Sequence, residues 1–206
     1  MAFKKSLMNR PPRKYAGAYQ TLGDFVYLTA YFTEPSNVCD EEAKLDSNVV
    51  GDKLVFLVGT DKYVSVPLEM KNIEGTKWVK GYCVKYMGTH YWYDISVDMN
   101  CDDFFPFIML YDPEGKLIGF SPAIGGVSVD SPRVEHPPPK LFEKPHLPTC
   151  ASKFERYTTQ HFYFTPISLK THGCGKYGGG KFPNPEILDF IVDLIGKALK
   201  EILNAM

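Results

Sequence analysis

The chain has 206 residues, of which 44% are hydrophobic, 23% charged and 14% aromatic. A chain of this length buries roughly 70% of its unfolded surface, and its ordinary composition excludes long disorder, collagen-like repeats and a coiled coil. Lys and Arg number 23 against 24 Asp and Glu, so the net charge is -1 and the concentrated positive field that nucleic acid or an anionic membrane calls for is missing.

No apolar run approaches the ~20 residues of a membrane-spanning helix. The aromatic surplus, 13 Tyr and 14 Phe against 2 Trp, favours pleated sheet. Residues 1–19 are basic, contain proline and show no period, which predicts a flexible or surface-draped arm. No apolar segment of signal-peptide type follows their basic start. Residues 20–206 read as a single β-rich domain.

That domain opens on an aromatic and β-branched run from Asp24 to Phe32, followed by a polar loop from Cys39 to Asp52. The runs Lys53 to Val58 and Lys62 to Val66 flank Gly59-Thr60-Asp61, a hairpin signal. Strands are also predicted over Trp78 to Tyr86 and His90 to Val97. The strongest hairpin joins Phe105–Tyr111 to Lys116–Phe120 through Asp112-Pro113-Glu114-Gly115. In that turn Pro113 presets φ and Gly115 tolerates a positive one.

From residue 121 to 150 the prolines, including Pro137-Pro138-Pro139, predict an extended strap across the body. A further strand is expected over Thr158 to Thr165, then a glycine loop from Gly173 to Gly180. The last element is an amphipathic helix over 185–204, with Asn184 as N-cap, Pro185 at its first position, and an apolar stripe that includes Leu194 and Ile195.

Five cysteines occur without any C-x-x-C pair, which argues against a zinc ribbon or a thioredoxin-like motif. Cys83 and Cys101 flank one aromatic segment, and Cys150 and Cys174 flank another. The spacing suits two local disulfides with Cys39 left over. Five cysteines allow other pairings, and buried free thiols in a cytoplasmic protein are the competing reading. The order Cys83, aromatic strand, Cys101, Phe-Pro-Phe strand, Cys150, Gln160-His161-Phe162-Tyr163-Phe164, Cys174 resembles, in outline, small secreted proteins with aromatic strands between cysteines. The resemblance implies a secreted mature chain.

Candidate chemistry centres on Met87 to Asp94. Strand alternation places His90, Trp92 and Asp94 on one face and Tyr91, Tyr93 and Ile95 on the other. A His beside a carboxylate on a shared face is a candidate oriented base. His161, in a second aromatic strand with Phe162 and Tyr163, and His136 after Glu135 would complete an acid–base or metal site if the three regions converge. The competing reading is a set of half-buried strand histidines with backbone partners.

Gly178-Gly179-Gly180-Lys181 is followed by Phe182, so it fails the phosphate-loop pattern. Asp98, Asn100, Asp102 and Asp103 fail the calcium-loop pattern. No nucleophile elbow is present.

These features predict an antiparallel β-barrel or sandwich of seven to nine strands with the C-terminal helix packed on it. They also predict an aromatic-lined pocket for a small apolar or aromatic ligand, formed by Trp92, Tyr91, Tyr93, Phe162 and Tyr163. The alternative function is an enzyme with His90, Asp94 and His161 as catalytic groups. His90, His136 and His161 are the metal-ligand candidates, and no cofactor is specified.

Overall fold

A computed structural model describes residues 1–8, 12–40, 51–138, 148–151 and 154–175. The helix expected over 185–204, most of the glycine loop and His146 lie outside the described residues. The architecture is mainly antiparallel β, and the described residues form twelve short strands in three sheets in place of the expected seven to nine. Among the described residues no barrel closes. No described helix is long and apolar enough to cross a membrane.

In chain order the strands are β1 (Ala2–Lys4), β2 (Gln20–Leu22), β3 (Phe25–Tyr27), β4 (Ala30–Tyr31), β5 (Val55–Gly59), β6 (Lys62–Ser65), β7 (Trp78–Val84) and β8 (Gly88–Tyr93). They continue with β9 (Phe107–Tyr111), β10 (Leu117–Gly125), β11 (Tyr157–Thr159) and β12 (Phe162–Tyr163), and a short helix α1 (Leu169–His172) follows. The central sheet runs β7-β8-β9-β10, and both β11 and β12 pair with β10. Smaller sheets have the orders β4-β5-β6 and β1-β3-β2.

Local chemistry accounts for the hairpins. Between β9 and β10, Asp112 Oδ1 accepts the Lys116 amide at 2.7 Å and its carbonyl accepts Gly115 at 3.1 Å. Gly115 takes a φ of +86°. The β5–β6 turn puts Asp61 at φ +52°, a conformation that Asp tolerates better than most residues. Gly88 starts β8 at φ +89°, and a Cβ there would stand 2.7 Å from the Tyr111 carbonyl oxygen. Close passage of β9 therefore requires glycine.

The main core lies between the central sheet and the β4-β5-β6 sheet. Phe56 of β5 stacks on Phe107 of β9 with centroids 4.0 Å apart, and it also meets Trp78, Phe105 and Phe120. Tyr91, Met109 and Tyr111 complete the central sheet's contribution. A second cluster covers the other face, with Trp92, Phe104, Ile108, Ala123 and Tyr157.

The N-terminal segment corrects the expectation of a flexible arm. Phe3, Tyr15 and Ala18 are buried in the main core, and β1 pairs with β3. Three anchors at irregular spacing leave no periodic trace in the sequence, although each buries apolar area.

Proline misleads in a second place, because β10 runs through Pro122. Pro122 O accepts the Gln160 amide at 3.3 Å, so the backbone edge of Pro122 faces β11 and β12. Those two strands are interrupted there by Gln160 and His161, and the missing N–H therefore falls opposite the gap. Beyond β10 the chain runs beside β11, where Glu135 and Thr159 exchange backbone hydrogen bonds at 2.8 and 3.0 Å.

Candidate functional site

On the face of the central sheet away from the main core, β8 presents His90, and the segment after Cys150 crosses over it. His90 is buried, its Nδ1 lies 3.2 Å from the Gly88 carbonyl, and its ring stacks on Tyr82 at 6.0 Å. Burial, aided by the nearby His161, pushes its pKa down to about 3, so the imidazole is neutral at physiological pH.

His161 sits at the break between β11 and β12. Its ring meets His90 edge-on at 6.1 Å and stacks on Tyr163 at 5.8 Å. Its Nδ1 lies 2.8 Å from Glu135 Oε2 but out of line for a hydrogen bond. Glu135 Oε2 is also 3.3 Å from the Thr159 hydroxyl, which donates to it.

Tyr163 in turn meets His172 of α1 at 4.6 Å. His172 is fully buried, its Nδ1 is 2.7 Å from the Thr171 hydroxyl, and its Nε2 has no partner among the described residues. Burial lowers its pKa, with Asp112 acting in the opposite direction. The rings Tyr82, His90, His161, Tyr163 and His172 thus form one chain of successive ring contacts on this face.

Of the expected site residues, His90 and His161 do come together. Asp94 does not join them. β8 ends at Tyr93, and Asp94 takes φ +54°, which turns its carboxylate toward Tyr15 at 2.5 Å, Lys14 at 2.7 Å and Lys77 at 3.3 Å. Burial would raise its pKa, but hydrogen bonds from Lys14, Tyr15 and Lys77 outweigh that and hold it below the ordinary carboxylate range. The expectation that His90, Trp92 and Asp94 share one face holds only for His90 and Trp92.

His136 turns Nδ1 to the Tyr157 carbonyl at 3.0 Å and Nε2 to the Val129 carbonyl at 3.1 Å, so neither nitrogen is offered to a metal. Among the described residues no three His, Cys, Asp or Glu side chains gather closely enough to hold one.

The aromatic candidates divide by face. Tyr91 and Tyr93 belong to the main core, Trp92 to the second cluster, and Phe162 stacks on Phe120 at 5.1 Å. Tyr163 alone accompanies the histidines.

The four expected cysteines form two disulfides, but the pairing differs from the local one. Cys83 bonds Cys174 and Cys101 bonds Cys150, while Cys39 is free and exposed. Sheet pairing brings β7 beneath the end of α1, so partners 91 residues apart have Cα atoms 5.6 Å apart.

A cavity of about 900 Å³ lies elsewhere, at the end of β10. Its apolar wall includes Leu7, Met8, Phe104, Ile124, Val127 and Phe154, and Asp102, Glu155 and Arg156 supply charge. Arg156 donates to the Ser128 hydroxyl at 2.9 Å. Sequence reasoning missed this cavity because four separate segments contribute to it. A smaller cavity of about 390 Å³ lies near Lys53 and Tyr63. Neither is lined by His90, Trp92 or His161. No family model matches the chain, and comparison with curated proteins and with solved structures likewise gives no match.

Proposed function

We propose that this is a secreted binding protein for a small apolar or aromatic molecule bearing an anionic group. The reading rests on the cavity of about 900 Å³, which combines apolar side chains with the Arg156 guanidinium, while the Asp102 carboxylate in its wall is offset by Arg13 at 3.9 Å and Glu155 is exposed. Ligand sites commonly pair an apolar wall with a few orienting polar groups, at volumes of roughly 300–1,000 Å³. Two disulfides fit an oxidising compartment, in keeping with secretion.

The test uses 1-anilinonaphthalene-8-sulfonate, an aromatic sulfonate, as the probe. Leu7→Asp puts a charge into the apolar wall at an exposed position, and Arg156→Glu reverses the charge at the mouth. Each should weaken binding at least tenfold, about 1.4 kcal/mol, with little change in Tm. Binding unaffected by both substitutions would remove the cavity as the site.

A second reading draws on the contact between His161 and Glu135 beside His90. In that reading His161 is the acid–base group of an enzyme and Glu135 is the carboxylate beside it. It competes with the binding module only if His161→Gln abolishes a turnover that Leu7→Asp leaves intact.

A further inference from the structure

The chain of ring contacts has a second property, because the segment that carries half of it is fastened at both ends. Cys150 ties its beginning to Cys101, and Cys174 ties its end to Cys83 at the edge of β7. Between these anchors lie β11, β12 and α1, with His161, Tyr163 and His172 turned toward one another and toward His90. The circuit closes through the covalent chain: Cys174 follows His172 by two residues, and Cys83 follows Tyr82.

The middle of the strap is held by few backbone bonds. β12 contributes only two residues paired with β10, while the Phe164 amide donates to Ile118 at 2.8 Å and Gln160 to Pro122 at 3.3 Å. Its ring packing does the rest, and three of those rings are imidazoles. The groups facing them are Tyr82 from β7, Glu135 and Thr159 beside His161, Tyr163 from β12, and the more remote Asp112 near His172. Among the described residues, Glu135 is the carboxylate in contact with one of these imidazoles, at His161.

We propose that the segment between Cys150 and Cys174 is an acid-opened strap, whose middle lifts off β8 and β10 when the buried imidazoles of His90 and His172 gain protons while the two disulfides keep its ends in place. The sign follows from the burial of His90 and His172. Both are held below the ordinary histidine pKa of about 6.5, so the closed state binds fewer protons than the opened one. Closure is fully favoured above that value and weakens as pH falls below it. Opening would bare Tyr163 and the His90 face without releasing the chain.

Hydrogen–deuterium exchange of the oxidised full chain at pH 7 and pH 5, corrected for intrinsic rates, tests this. The Gln160 and Phe164 amides should lose at least tenfold protection at pH 5, while the β9 amides keep theirs. His90→Gln with His172→Gln should remove the difference between the two pH values. Equal protection of the strap at both pH values would overturn the proposal, as would loss of protection in strap and β9 together. If the double variant does not fold, the wild-type comparison decides by itself.

Discussion

Replacing Cys83 and Cys174 with serine should lower unfolding free energy by about 4 to 5 kcal/mol in the chain-entropy model, because the bridge closes a loop spanning 91 residues. The Cys101–Cys150 bridge spans 49 residues, so its removal should cost about half a kcal/mol less. Pairing gives a sharper signature than magnitude. Cys83→Ser alone should be about as damaging as Cys83→Ser with Cys174→Ser, since either breaks the same bond. Under neighbour pairing, the double change would break two bridges and cost far more than the single one. Denaturant titration of the variants measures both quantities. Typical domain stabilities are only ~5–15 kcal/mol, so loss of this one bridge takes a large share of the total.

Phe56→Ala should cost about 3–5 kcal/mol, toward the upper end of that range. Phe56 is fully buried and is a main contact through which the β4-β5-β6 sheet reaches the central sheet, beside the hydrogen bond from Trp78 to the Ser65 carbonyl. Its neighbours Phe105, Phe107, Phe120 and Trp78 are held by one another and cannot collapse into the vacated space. The lost transfer energy is therefore joined by a cavity cost. Phe25→Ala provides the contrast. Phe25 is 43% exposed on β3, and its truncation should stay within about 0.5 kcal/mol. Urea unfolding with the disulfides intact separates the two cases, and equal costs would mean the stacked rings are not the core's centre.

Features governed by neighbouring residues were legible in the sequence. The Asp112 to Gly115 turn and the Thr60-Asp61 turn follow from local backbone chemistry, and each hairpin forms where it is expected. Alternation along β8 correctly separates His90 and Trp92 from Tyr91 and Tyr93. It fails at Asp94, because a positive φ ends the strand and no pattern announces that turn.

Long-range features were not legible. The cysteine set is apparent from spacing, but its pairing depends on which strand lies under α1. Pro122 looks like a strand breaker and is tolerated because β11 and β12 part opposite it. Phe3 and Tyr15 look like arm residues because a core can recruit single side chains from an irregular chain. The cavity at the end of β10 draws on residues from Ser6 to Arg156, and local reading cannot assemble such a wall.

Two long-range disulfides pin the segment between Cys150 and Cys174 across a histidine-lined sheet face. Non-reducing peptide mapping of protein secreted into an oxidising medium tests this arrangement most directly. The expected result is one cross-linked peptide pair joining Cys83 to Cys174, a second joining Cys101 to Cys150, and Cys39 recovered as a free thiol. Peptides joining Cys83 to Cys101 and Cys150 to Cys174, or five free thiols, would contradict it.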